Sequence, residues 1–206
     1  MVRANKKGLN KGSLPELSSS EQTRLNSFLS DTDKFYEYRI GHKTFRNLLT
    51  IDDSHGNAML KMKPIAYLPS CEGLPQKLSG WFMKSNFFLE SSEKEAFASA
   101  YMQISSSVRL FSESCEELLC LCEEDMHNFS INGSNYKGRY SISTKGKLSV
   151  AIFDAQDNCQ LYVRADDRLL SEESKIFIRK NLEPSKKTCL SAIALLPEMN
   201  YRLDIG

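Results

Sequence analysis

A pair of apolar segments joined by a turn, within residues 147–166, constrains the fold more than any other feature of the chain. Residues 148–153 and 161–163 are rich in side chains that favour strands, and residues 155–158 between them contain Asp and Asn, which favour turns. In the first segment apolar side chains occupy both alternating faces, which is typical of a strand covered on both sides. We therefore predict a β-hairpin buried at the centre of the core.

The chain before this hairpin is predicted to hold a tail, one helix and three strands. Residues 1–17 carry four basic residues and little that could pack, which is typical of a disordered basic tail. Residues 18–22 favour a helix start, and the apolar spacing after them indicates a short helix. From 34 to 68 apolar and polar residues alternate, which predicts three antiparallel strands. Pro64 cannot donate to a neighbouring strand, so the third strand should end there or lie at an edge.

Three further helices are predicted from apolar spacing and capping residues. Ser92 with Glu95 matches a capping box, and five apolar residues follow at helical spacing: Phe97, Tyr101, Ile104, Val108 and Phe111. Residues 114–126 predict a second helix and residues 171–183 a third, which Pro184 should stop. The apolar segments 190–196 and 201–205 predict short final strands.

Together these elements predict an α+β fold. Residues 18–206 should form a single domain of mainly antiparallel sheet with about four helices packed against it. The net charge of +1 gives no global bias toward nucleic acid or a membrane. No segment resembles a signal peptide or a membrane span. We therefore expect a cytoplasmic protein with no membrane partner, although export by a dedicated system is left open.

Catalytic and metal-binding motifs are missing from the sequence. Neither G-x-S-x-G nor H-E-x-x-H occurs, and we predict no metal and no cofactor. The six cysteines lack the spacing of a disulfide framework, so we expect reduced thiols. Cys115, Cys120 and Cys122 with His127 would not converge as zinc ligands on a helix, and we interpret them as packing residues. An enzymatic alternative is a cysteine- or serine-dependent hydrolase assembled from scattered residues, with Cys71 or Cys159 beside a histidine.

Charge is distributed unevenly along the chain. The net charge is +4 over residues 1–65, −6 over residues 66–126 and +3 over residues 127–206. The acidic middle segment concentrates its charge in the predicted helix at 114–126 and just before it. Such a helix could dock a basic protein partner. Its residues are Glu113, Glu116, Glu117, Glu123, Glu124 and Asp125.

Basic residues in the first three predicted strands indicate an alternative surface. They are interleaved with aromatic residues, and cations with rings are what single-stranded nucleic acid requires. If the alternation places the rings inside and the cations outside, the same pattern describes an ordinary amphipathic sheet. The basic residues are Arg39, Lys43, Arg46, Lys61 and Lys63.

These observations favour a non-enzymatic binding or regulatory module that contacts a macromolecule through charged surfaces. A protein partner is favoured slightly over nucleic acid, because the signal for nucleic acid is weak without an RNP-like signature. A nucleic-acid-binding protein that uses the basic and aromatic strands is the first alternative. The hydrolase is the second.

Overall fold

Twelve antiparallel strands and two α-helices make up the part of the chain that this computed structural model describes. That part comprises residues 16–43, 48–65, 86–104, 107–122, 127–142, 148–164 and 174–203. Within it, the structure describes the backbone but not the side chains of residues 42, 43, 48, 122, 142, 148 and 197–203. The helices are α1 (Ser19–Leu29) and α2 (Pro184–Leu203). The strands are β1 (Phe35–Lys43), β2 (Leu48–Asp52), β3 (Ala58–Pro64), β4 (Asn86–Ser91), β5 (Ala100–Ile104), β6 (Ser107–Ser112), β7 (Glu117–Cys122), β8 (Asn128–Ile131), β9 (Ser134–Ile142), β10 (Leu148–Asp154), β11 (Cys159–Arg164) and β12 (Ser174–Arg179).

All twelve strands belong to one sheet that curls on itself. Strands β1 to β7 follow one another across one half of the sheet, and β8 to β12 follow one another across the other half. The halves join where β1 pairs with β12, so the first and last strands of the chain lie side by side. The two outer strands, β7 and β8, approach each other. The sheet is therefore nearly closed, like a barrel.

Helix α2 fills the interior that the sheet encloses. Residues 189–196 are all buried, so α2 is covered on every side along this stretch. It belongs to the same apolar cluster as inward-facing side chains from both halves of the sheet, such as Ile51, Leu89, Leu121 and Ile152. Packing α2 against these side chains supplies the main core, because burial of apolar surface is the dominant favourable term in folding.

Helix α1 packs on the outside of the sheet. Its capping box is complete, because the Ser18 side chain accepts a hydrogen bond from Glu21 N and the Glu21 carboxylate accepts one from Ser18 N. Leu25 and Phe28 face the sheet and form a second, smaller cluster with outward-facing side chains, among them Phe35, Phe153 and Phe177. This cluster positions α1 over β10, β11, β12 and β1.

The predicted α+β class with about four helices is wrong, because the described chain is mostly sheet with two helices. The predicted helix after Ser92 is the strand pair β5 and β6, and those at 114–126 and 171–183 contain the strands β7 and β12. Apolar side chains occur on both faces of these strands. In β12, Ile176 and Ile178 line the core, and Phe177 on the other face is covered by α1. Apolar residues on both faces mimic helical spacing by coincidence.

The prediction of final strands at 190–196 and 201–205 is also wrong, because residues 190–196 and 201–203 belong to α2. Residues 204 and 205 fall outside the described residues. A helix buried on all sides has no polar face, and a short apolar run then gives no period that separates helix from strand. Pro184 begins this helix and does not stop the preceding element. The first helical position accepts proline, because its N–H would have no partner within the helix.

Several predictions are confirmed. Helix α1 begins after Ser18, and three antiparallel strands follow it. The third of them ends at Pro64. The hairpin of β10 and β11, with its turn at 155–158, is buried on both faces at Ala151, Ile152 and Phe153. The predicted basic tail at 1–17 lies almost entirely outside the described residues.

A close approach between β1 and β2 requires glycine at one position. Gly41 lies opposite Thr50 in the β1–β2 pair. A Cβ atom on residue 41 would stand 2.5 Å from Thr50 Oγ1 and 2.9 Å from Asp52 Oδ2. Thr50 is buried, so the neighbouring side chain has little room to move away.

We expect Gly41→Ala to lower the free energy of unfolding by roughly 1–3 kcal/mol, because the added methyl group overpacks this contact. Urea denaturation of the wild type and the variant measures the difference. In a Thr50→Ala background the Oγ1 atom is gone, and the cost of Gly41→Ala should fall. An equal cost in both backgrounds would show that the contact with Thr50 is not the cause.

Candidate anion-binding site

The pairing of β1 with β12 brings basic residues together at one end of the sheet. Phe35 at the start of β1 lies opposite Arg179 at the end of β12, and Lys180 N donates to Lys34 O at 3.0 Å. The chain then turns into α2, which adds a lysine from its first turn, while α1 adds an arginine from outside the sheet. We call these five residues the basic rim: Arg24, Lys34, Arg179, Lys180 and Lys187.

Lys187 is a buried lysine at the inner edge of the basic rim. Only 4% of its surface is exposed, and its Nζ atom lies 5.1 Å from the centre of the Tyr36 ring. Lys180 Nζ lies 5.4 Å from the same ring. Burial lowers the pKa of Lys187, because desolvation disfavours the charged ammonium. The Tyr36 ring offsets part of this cost through a cation–π interaction with each ammonium.

The start of α2 adds positive potential to the basic rim. The first turn of this helix has no acidic residue, although acidic side chains there would stabilise the helix dipole. The turn carries Lys186 and Lys187 in their place. Lys186 pairs with Glu183 at 3.5 Å, so the positive end of the helix dipole adds mainly to the charge of Lys187 at this end of the sheet.

A groove lies between α1 and the end of the β11–β12 pair, at the outer edge of the basic rim. Its volume is about 270 Å³. Three cations line it, from α1, from the turn before β1 and from the end of β12. They are Arg24, Lys34 and Arg179, and Ser27, Phe28 and Asn158 lie among them.

Both guanidinium groups in the groove are held in place by neighbouring groups. Arg179 Nε donates to the Cys159 carbonyl oxygen at 3.0 Å, and the Arg179 guanidinium carbon lies 5.5 Å from the centre of the Phe28 ring. Arg24 Nη1 donates to the Gln156 carbonyl oxygen at 2.8 Å. Carbonyl partners fix the guanidinium groups without neutralising their charge.

The one carboxylate that lines the groove is paired with a lysine outside it. Asp157 accepts a hydrogen bond from Lys137 Nζ at 2.8 Å. This bond with Lys137 holds the pKa of Asp157 below its usual value, so the carboxylate is ionised and partly neutralised at neutral pH. The groove therefore keeps an excess of positive charge.

Most cations of the basic rim have no carboxylate at ion-pair distance in the part of the chain that the structure describes. Within the described residues, no carboxylate lies within 4.0 Å of Arg24, Arg179, Lys180 or Lys187. Lys34 is the exception, because it pairs with Asp31 at 2.8 Å. Elsewhere on the sheet three cations pair across strands: Lys63 with Glu90, Arg109 with Glu117 and Lys175 with Glu37. Among the described residues, Lys61 and Arg164 form no such pair.

The predicted acidic helix is not a helix in the structure. Glu117 lies on β7 and pairs with Arg109, while Glu113 and Glu116 lie in the turn before β7. The Glu113 Oε2 atom lies 3.7 Å from Lys94 Nζ. The remaining predicted residues, Glu123, Glu124 and Asp125, fall outside the described residues. The acidic residues that the structure places thus lie on a turn and a strand.

The predicted basic strand surface is separated from its aromatic residues. Arg39, Lys61 and Lys63 lie on the outer face of β1 and β3, whereas Tyr38 faces the interior. The Phe35 ring lies under α1. This arrangement is the amphipathic sheet that the alternation also allowed. Arg46 and the Lys43 side chain fall outside the described residues.

The described cysteines differ in burial and bonding state. Burial raises the pKa of Cys159 and of Cys189 to about 12, so both thiols stay protonated at neutral pH. Cys120 is free and exposed. Cys115 is disulfide-bonded, so the expectation of reduced thiols is wrong at that position. Cys71 falls outside the described residues, and within them no three potential ligand side chains converge to hold a metal ion.

The basic rim was missed at the sequence level, although part of its signal is local. Residues 179–180 are Arg-Lys and residues 186–187 are Lys-Lys, so two basic pairs flank Pro184. Interpreting the preceding residues as a helix that stops at Pro184 hid the turn that brings the two pairs together. Arg24 and Lys34 join them only through the tertiary fold.

Comparison with known proteins leaves the family open. No protein-family model matches the chain, and no curated protein matches it. Among solved structures, the chain is similar to the X-ray structure of a protein from Arabidopsis thaliana, with 12% sequence identity and a TM-score of 0.40. The similarity covers 80% of this chain and 92% of that one. A likeness at this level supports no inference about function.

Neither described helix combines the length and the apolar character that crossing a bilayer requires.

We expect iodoacetamide at neutral pH to modify Cys120 and to leave Cys159 and Cys189 unmodified in the folded protein, because a protonated, buried thiol is neither nucleophilic nor accessible. Peptide mass spectrometry resolves each position, and modification of all three after unfolding in urea is the control. Labelling of native Cys159 as fast as free cysteine would support the hydrolase alternative.

Proposed function

We propose that this chain is a non-enzymatic binding module whose basic rim binds anionic groups of a macromolecular partner. The partner is a protein with an acidic segment. The observation that carries the proposal is the concentration of cations without ion pairs at one end of the sheet. Lys63, Arg109 and Lys175 pair with carboxylates across strands, whereas Arg24, Arg179, Lys180 and Lys187 have no carboxylate at ion-pair distance among the described residues.

Unpaired cations at one end of the sheet suit a binding surface for two reasons. Their combined potential steers an oppositely charged partner toward the rim and raises the association rate. The burial of Lys187 also has a cost that a bound anion would recover, because an opposite charge stabilises the ammonium. Surface cations without this arrangement would contribute little, since exposed pairs are worth about 1 kcal/mol or less.

A binding role is favoured over an enzymatic one by the way the interior is filled. Barrel-like sheets that bind small molecules do so in an internal cavity or at the mouth. Here α2 occupies the interior, and its residues 189–196 are buried against the sheet. Cys159 and Cys189 are buried, and their raised pKa keeps both thiols protonated at neutral pH.

A protein partner is favoured over nucleic acid by the scarcity of stacking surface. Single-stranded nucleic acid binds by stacking successive bases on several aromatic rings. Among the described residues, Tyr36 is the one exposed large hydrophobic residue, with 43% of its surface accessible to solvent. Its ring is already in contact with Lys180 and Lys187.

We expect the triple variant Arg24→Gln, Lys34→Gln and Lys180→Gln to lower the affinity for an acidic peptide by at least about tenfold. Each exposed charge contributes about 0.5 kcal/mol or more to such an encounter. The probe is a fluorescein-labelled peptide of eight Asp and Glu residues, measured by fluorescence anisotropy at low salt. A matched control removes three cations from the predicted nucleic-acid surface: Arg39→Gln, Lys61→Gln and Lys63→Gln.

The control variant should lower the affinity by less than about threefold, and twelve-residue oligothymidine should bind more weakly than the peptide. Equal losses in the two variants would show general charge attraction and contradict the rim. Tighter binding of the oligonucleotide, lost in the control variant, would favour the nucleic-acid alternative instead.

A further inference from the structure

We propose that the groove between α1 and the β11–β12 pair is a binding pocket for one phosphomonoester group, carried by a phosphorylated serine or threonine of the protein partner. The assignment of the source to a protein rests on the proposed function. The pocket itself rests on the geometry of Arg24, Lys34 and Arg179 around the groove.

Each of the two arginines has hydrogen-bond donors that are available to an anion. Arg179 uses Nε on the Cys159 carbonyl and Arg24 uses Nη1 on the Gln156 carbonyl. Within the described residues, no other hydrogen bond engages either guanidinium group. The Arg179 Nη groups and the Arg24 Nε and Nη2 groups are therefore available, and guanidinium forks match phosphate oxygens in pairs.

The position of both arginines is fixed before an anion arrives. Arg179 packs on the Phe28 ring and is tied to β11, and Arg24 is tied to the turn between β10 and β11. Side chains already held in one conformation lose little entropy on binding. Lys34 contributes a third positive charge, and its Asp31 partner offsets part of that charge.

The charge of the groove suits a phosphate better than a carboxylate. Three cations line it against one carboxylate, Asp157, which Lys137 already partly neutralises. A phosphomonoester carries a charge of about −1.5 to −2 at neutral pH, whereas a carboxylate carries one negative charge. The phosphomonoester also offers three acceptor oxygens, which can engage donors on both sides of the groove.

The size of the groove suits a single anionic group. A volume of about 270 Å³ is below the range of roughly 300–1,000 Å³ that is usual for complete small-molecule sites. A phosphate group on a short side chain fits this space. Arginine clusters recognise phosphorylated peptides in this way in several kinds of interaction domain.

Isothermal titration calorimetry with three peptides of one sequence tests the pocket. The peptides carry phosphoserine, serine or aspartate at the central position between acidic residues, and inorganic phosphate alone is a fourth probe. We expect the phosphoserine peptide to bind at least about tenfold more tightly than either other peptide, and inorganic phosphate to bind weakly. A phosphoserine peptide that binds no more tightly than the serine peptide would overturn the proposal.

A charge-conserving variant separates the pocket from general attraction to the basic rim. Arg24→Lys with Arg179→Lys keeps both charges but removes the guanidinium forks. It should lose the preference for phosphoserine and keep the affinity for the serine peptide. If the preference survives in this variant, the guanidinium groups do not form the pocket.

A second variant keeps the test decisive if the arginine variant folds poorly. Ser27→Glu places a carboxylate in the groove from the exposed face of α1, and Ser20→Glu on the same helix is the control. The Ser27→Glu variant should lose phosphoserine preference and the Ser20→Glu variant should keep it. Equal preference in both would contradict the pocket.

The two proposals fail in different ways. If phosphoserine gives no gain while the acidic serine peptide still binds at the rim, the pocket is wrong and the binding module stands. If inorganic phosphate binds in an arginine-dependent way but no peptide binds, the groove is a free-phosphate site and the protein source is wrong.

Discussion

Packing of α2 inside the curled sheet is the interaction on which the rest of the structure depends. Twelve strands enclose a space that must be filled, because protein interiors are packed as densely as organic crystals. Side chains on every side of α2 fill it from Cys189 to Leu196, and all of them except Ser191 are apolar. The same packing places the first turn of α2, with Lys187, at the end of the sheet where β1 meets β12. The core and the basic rim are thus two results of one arrangement.

The filled interior leaves the surface as the place for function. On the described outer surface, some charges cancel locally through cross-strand pairs such as Lys63 with Glu90 and Lys175 with Glu37, and α1 covers apolar side chains of β10, β11, β12 and β1. Glu21 illustrates how α1 is held. Burial tends to raise the pKa of Glu21, but hydrogen bonds from Ser18 and the charge of Arg139 together keep it below the usual value. Anchored in this way, α1 forms one wall of the groove that contains Arg24 and Arg179.

The sequence predicts the parts of the fold whose signals are local. The β10–β11 hairpin, the three strands from β1 to β3 and the capped start of α1 each depend on neighbouring residues, and each is confirmed. Strands β5, β6, β7 and β12 were mistaken for helices because apolar side chains on both faces obscure the two-residue period. Helix α2 was mistaken for strand because it has no polar face. The candidate site could not be predicted, since the pairing of β1 with β12 joins segments about 140 residues apart and a single sequence does not specify such pairing.

Native-state hydrogen exchange along the chain tests most directly whether α2 is the centre of the fold. If the helix is enclosed, its backbone amides from about Thr188 to Leu196 should exchange only through global unfolding, together with those of Ile152 and Leu161 in the central hairpin. Their opening free energies should therefore equal the free energy of unfolding measured with denaturant. Amides of α2 that exchange through local opening, well before the central strands, would show that the helix lies on the outside and would contradict this account.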